Sequence, residues 1–339
     1  MKNNATKQMV YFSVILLLIL IFSFASALSI GAAPLSFSQV FDSVFGLSND
    51  QSSYISSIVW DLRMPRSLLA FVAGCGLALA GLILQKVTRN PLADPYLFGI
   101  SSGASLGVVA LMSVTSLGFG FYLSIGAFVG SLLAVVMLLV IAGHYGPRQV
   151  ENMLLAGVAL SFLFSAFTSL MLYWSDPQAV TSIMFWTLGS FARADWQTLW
   201  IPTTVVSICL VFMFLHQRQL TALLLGDESA TTLGINVSRL RINMLLLSSL
   251  LTASIVALCG GIGFVGLMIP HIVRYFVTNG SRFSFFVTAF VGGIFMLWVD
   301  IGSRIILTNQ ELPIGIITSA IGSVFFLSLL YLRKRKALD

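Results

Sequence analysis

Apolar residues run through this chain in blocks of about twenty, separated by short polar or Gly/Pro-marked breaks, with no sustained helical or strand-like alternation. A block of that length suffices to cross the hydrocarbon core of a bilayer. Ten such blocks are predicted as spans, near 10–30, 66–86, 96–116, 121–143, 151–173, 197–215, 241–260, 262–278, 285–305 and 313–332. The pattern predicts an all-α polytopic membrane protein, with residues 1–339 forming one transmembrane domain. The first block follows Lys2 and Lys7 and ends at Ala25-Ser26-Ala27, which imitates a secretory signal. It is longer than a usual signal core, and it is read as a first helix.

Two breaks are unusual. Arg89 to Ala104 reads R-N-P-L-A-D-P-Y-L-F-G-I-S-S-G-A, and Gly260 to His271 carries four glycines and Pro270. Proline removes a backbone donor and glycine permits tight turns, so neither stretch suits the middle of a lipid-facing helix. Open backbone in hydrocarbon costs several kcal/mol per unpaired group, so each must sit at a membrane face or be buried among helices. The spans that precede these breaks, 66–86 and 241–260, lie five crossings apart and run in opposite directions. That is the mark of an inverted repeat. The small-residue series Gly99-x-x-x-Gly103-x-x-x-Gly107 and Gly126-x-x-x-Gly130, with Gly74 and Gly81, are read as helix-packing positions.

Composition agrees with the membrane class: 58% of residues are hydrophobic and 9% charged, against about 25% charged in soluble domains. Charge then orients the chain. With the N-terminus inside, fourteen of the eighteen basic residues fall on the cytoplasmic side, and only Arg63, Arg66, Arg193 and Arg304 lie outside. Seven of the twelve acids lie outside. This predicts both termini in the cytoplasm, in the inner or cytoplasmic membrane of the cell. The basic residues cluster at span ends, not along a stripe, so nucleic acid is not an expected partner.

Several chemistries are missing. No lysine follows a glycine, so there is no phosphate loop and no expected ATP hydrolysis by this chain. Gly261-x-Gly263-x-x-Gly266 matches a dinucleotide fingerprint only formally, because the strand–turn–helix context is lacking. Cys75, Cys209 and Cys259 lie in apolar runs without metal spacing, and no cofactor or metal is expected. The span centres hold no carboxylate. His271, beside Pro270, reads as a helix-end hydrogen-bonding group or a proton relay. A pathway without its own energy source remains: it needs an external motor, or it is a passive carrier or pore.

The string Arg63-Met64-Pro65-Arg66, the stretch around Asn90-Pro91 to Gly99 and Gly103, and Gly263-Phe264-Val265-Gly266-Leu267 with Pro270-His271 resemble the permeases of ABC importers for ferric siderophores, haem and cobalamin. The likeness runs from about Tyr54 to Lys334. It implies a type II importer fold, a second permease subunit (identical or homologous), two cytoplasmic ABC ATPases, and a substrate-binding protein outside. Ferric siderophore leads as cargo, with haem and cobalamin behind. It also implies roles. The long inner segment 216–241, with Leu225, Gly226, Asp227, Glu228, Ala230, Leu233 and Gly234, would form a pair of coupling helices separated and ended by glycine. Arg63, Arg66 and Arg304 would dock acidic residues of the binding protein, although interfacial snorkelling is the plainer reading. Gln149 and Val150, after Gly143-His144-Tyr145-Gly146-Pro147-Arg148, would gate the cytoplasmic exit. The segment 36–61 is expected to lay an amphipathic helix on the outer surface.

Overall fold

The computed structural model describes residues 2–31, 33–47, 53–114, 121–142, 149–277 and 283–336. Among these there is no strand. The chain begins with α1 (Lys2–Ser29) and α2 (Phe37–Val44), the latter opened by a capping box in which Ser36 and Gln39 bond each other's backbone N–H. Val40 of α2 is buried while Phe37, Phe41 and Phe45 face outward, as an interfacial helix would place them. A short α3 (Ser53–Ser57) continues through a π-helical turn (Ile58–Arg63) into α4 (Met64–Thr88). There follow α5 (Ile100–Val114), α6 (Phe121–Ala142), α7 (Gln149–Tyr173), α8 (Pro177–Thr187) and α9 (Trp196–Leu215). Next come the short α10 (Gln217–Leu223) and α11 (Asp227–Thr232), and then α12 (Val237–Cys259), α13 (Val265–Val273), α14 (Ser284–Ile305) and α15 (Ile314–Lys336).

Helix α4 is the hub. Every residue from Ala73 to Val87 is buried, so the helix has no lipid face, and accordingly its apolar residues form no stripe. It is ringed by α9, α12, α13 and α14. Close approach rests on glycine meeting glycine: a Cβ at Gly74 would lie 2.2 Å from the Gly292 carbonyl oxygen, and one at Gly107 would lie 2.1 Å from that of Gly126. The expected small-residue contacts are therefore packing contacts.

The inverted repeat is visible in the pairings. Helix α4 packs on α13 and α14 as α12 packs on α5 and α6, and α5 meets α6 and α7 as α13 meets α14 and α15. The break that precedes the second transmembrane helix of each half survives as irregular backbone, in the first half as a 3-10 turn at Pro95–Phe98 ahead of α5. In the second half the expected span 262–278 is corrected to a nine-residue α13, about 13 Å long and less than half the hydrocarbon thickness. Backbone conformation explains this. Gly260 has φ +74, and a Cβ there would lie 2.0 Å from the Trp186 carbonyl oxygen. Phe264 is also left-handed at φ +68, so a helix continuous from α12 is impossible.

Candidate functional site

Three places concentrate the polar chemistry: the two membrane faces and the junction of the broken segments between them.

On one face, α9 ends and the chain turns through α10 and α11. Gly226 separates them with φ +115 and ψ 158, a backbone region open essentially to glycine alone, and Gly234 at φ +79 closes the pair. Leu220 and Leu223 of α10 and Ala230 of α11 are buried against the core that includes Ile83, Val87, Leu240 and Met244. Leu225 and Leu233 point the other way, 71% and 64% exposed. Glu228 is also exposed. Asp227, with its side chain 38% exposed, pairs with Arg89 at the end of α4 and with the buried Arg241 of α12, both at 3.1 Å.

On the opposite face the three arginines gather, and all are committed internally. Arg63 is buried and donates to the carbonyls of Leu28 and Ser29 at 2.6 and 3.0 Å and to that of Ala33, closing the end of α1. Arg66 pairs with Asp300 at 2.9 Å and Glu311 at 2.7 Å. Arg304 reaches Asp300 at 3.1 Å and donates to the carbonyls of Ala27 and Ile30, both at 3.0 Å. Asp300 is fully buried and shared by two guanidiniums. Beside it, the chain after α8, the end of α12 and the start of α15 are knitted by backbone bonds from Ser190 to Cys259, Ile314 to Gly189 and Gly315 to Leu188. A cavity of about 210 Å³ lined by Trp186, Arg193, Glu311 and Pro313 opens there.

Between the faces, the two broken segments meet. The Tyr96 hydroxyl accepts the Ile262 N–H at 2.6 Å, satisfying a donor that the interrupted helix leaves free. Gln85 donates to the carbonyls of Gly266 and Leu267 at 3.1 and 3.3 Å and accepts from Arg274 at 2.5 Å. Asp94 caps the 3-10 turn, accepting the Tyr96 N–H at 2.8 Å.

Residues 17–332 match the model of the FecCD transport family. The chain belongs to the FecCD transport family. It is 36% identical to the hemin transport system permease protein HmuU of Yersinia pestis, over 98% of each chain. It is 35% identical to the vitamin B12 import system permease protein BtuC of Vibrio vulnificus, over 90% of this chain and 91% of that one. Among solved structures, one described as a metal-chelate type ABC transporter in an inward-facing conformation superposes with a TM-score of 0.82 at 32% identity, covering 93% of this chain and 97% of that one.

Within this FecCD permease, the expected pathway residues make the following local contacts. Gly99, at φ +79, ends the 3-10 turn against Gly157, and Gly103 packs on Gly130. The Asn90 side chain accepts the Leu92 N–H at 2.9 Å, forming the turn in which Pro91 stands exposed. Pro270 is buried in α13, and His271 packs among Tyr275, Phe325 and Phe326. Gln149 and Val150 open α7, while the loop 143–148 before them lies outside the described residues. Sequence reasoning missed Asp300, Tyr96 and Gln85. Apart from Arg304, four residues from Asp300, their partners lie 166 to 234 residues away along the chain, and the available signals were that i,i+4 spacing and polarity within apolar runs.

Proposed function

We propose that the protein is the permease subunit of an ATP-driven ABC importer that carries a metal chelate across the cytoplasmic (inner) membrane, with ferric siderophore as the first cargo to test. The observation that carries this reading is the α10–α11 pair. It exposes Leu225 and Leu233 beyond the membrane spans, where exposed leucines mark a partner surface, on a chain that has no phosphate loop. Two cytoplasmic ABC ATPases would bind there, with both chain termini on the same side, as the distribution of basic residues favours.

Two further surfaces complete the assembly. Helices α7 and α15 occupy equivalent places in the two halves and are among the least buried spans, 28% and 17% against 83% for the span containing α4. A second permease, identical or homologous, would pack there, with lipid around the rest and the pathway between the copies. A substrate-binding protein would dock on the arginine face. There the arginines would shape the rim, and Glu311 would supply its accessible charge. That hemin and vitamin B12 permeases are among the relatives supports a cargo of the metal-chelate class.

Reconstitution of the permease in proteoliposomes with its ATPase and its binding protein should give uptake of an iron-loaded siderophore only when ATP is supplied to the ATPase side. Omitting the ATPase should abolish accumulation. Concentrative uptake without it would favour a secondary carrier, and uptake of haem or cobalamin alone would move the cargo within its class.

A further inference from the structure

Asp227 lies in the segment proposed to meet the ATPase, yet its carboxylate faces the permease. Arg241 Nη2 lies 3.1 and 3.2 Å from its two oxygens, and Arg89 Nη2 lies 3.1 Å from Oδ1. Arg89 is the residue that ends α4, held left-handed at φ +52, and Arg241 sits in the second turn of α12. These two helices are the first of each inverted half, and they are bonded deeper in the core, where Ser248 donates to the Ala80 carbonyl at 3.0 Å. One carboxylate thus touches the ends of both central helices.

The rest of α11 is lightly held. Ala230 is its one buried residue, and a methyl group offers little resistance to sliding. Helix α10, by contrast, is anchored by Leu220 and Leu223 in the core. The Arg89 arm is half-exposed, so by itself it contributes little. The Arg241 arm differs: its side chain is only 5% exposed and its Nε has no acceptor. Removing the carboxylate leaves that guanidinium buried without a counter-charge.

We infer that Asp227 is a positioning residue that clamps the coupling pair to α4 and α12, so that a displacement of the pair reaches both halves of the permease together. This rests on the importer reading above. It makes the side chain of Asp227 an internal linkage, with contact to the motor left to Leu225, Glu228 and Leu233 on the outward side.

The test uses the complete reconstituted complex, measuring cargo moved per ATP hydrolysed together with ATPase co-purification. Asp227→Asn is expected to lower the ratio about tenfold, a coupling loss of the usual allosteric size, while the ATPase co-purifies at the parental stoichiometry. Asp227→Glu should recover most of the ratio. Arg241→Gln should lower it as well and add little on top of Asp227→Asn, because the three side chains act as one node. Should Asp227→Asn not assemble, Arg241→Gln, which removes the buried charge together with its need for a counter-charge, decides the matter by the same ratio. An unchanged ratio in the assembled variant overturns the clamp. So does a ratio that falls only as the ATPase is lost, which would make Asp227 a contact residue. A parental complex without ATP-dependent uptake would instead overturn the importer reading, which separates the two failures.

Discussion

Asp300→Ala should sharply reduce the yield of folded permease. The carboxylate is fully buried and shared by Arg66 and Arg304, whose side chains are 11% and 6% exposed. Removing one partner of a buried pair typically costs about 3–5 kcal/mol, because the remaining charge stays desolvated and uncompensated. Here two guanidiniums lose their common acid. Arg66 would retain Glu311, and Arg304 the carbonyls of Ala27 and Ile30, so the loss should fall in that range and not beyond it. Because Arg304 and Arg63 both hold the end of α1, detachment of α1 from α14 should accompany it, which protease sensitivity near Ser29 would register. Glu311→Gln is the internal comparison: its side chain is 46% exposed, so a change below about 1 kcal/mol is expected. Equal unfolding midpoints for the two variants would show that Asp300 is not the centre of this cluster. Binding-protein association measured on the same variants would separate scaffolding from docking: a docking role belongs to the exposed Glu311 rim only if association responds there while stability does not.

Gly81→Val should be comparably damaging for a different reason. A Cβ at Gly81 would lie 1.9 Å from the carbonyl oxygen of Gly266 and 2.5 Å from its Cα. Those are backbone atoms, so α13 itself must move, and with it the Gln85 bonds to Gly266 and Leu267. Overpacking costs about 1–3 kcal/mol where side chains can yield, and more where they cannot. Gly263→Ala is the control from the same motif, since nothing lies within 4 Å of its added Cβ. Thermal unfolding should show a large loss for Gly81→Val and little for Gly263→Ala. A tolerated Gly81→Val would mean that α4 and α13 are not locked together as described.

Much of this architecture was legible in the residues. The apolar blocks marked the helices because lipid accepts only backbone that satisfies its own hydrogen bonds. Gly226 and Gly234 announced two short helices where the structure has α10 and α11, since both require positive φ. The Pro/Gly stretches were correctly read as poor helix, and the glycine series as packing. The arginines were the hardest to place. From the chain they look like outward charges, but Arg66 finds Asp300 234 residues away and Arg63 finds the end of α1. No local pattern encodes a partner at that separation.

The division follows the range of the forces. The sequence by itself determined the class and the family resemblance, because hydropathy at a membrane acts residue by residue. Tertiary structure alone decided that α13 stops short, that Tyr96 closes the gap it leaves, and that Asp227 and Asp300 each serve two helices. Those outcomes depend on backbones approaching within contact distance and on buried charges finding counter-charges, and both are settled only when distant segments meet.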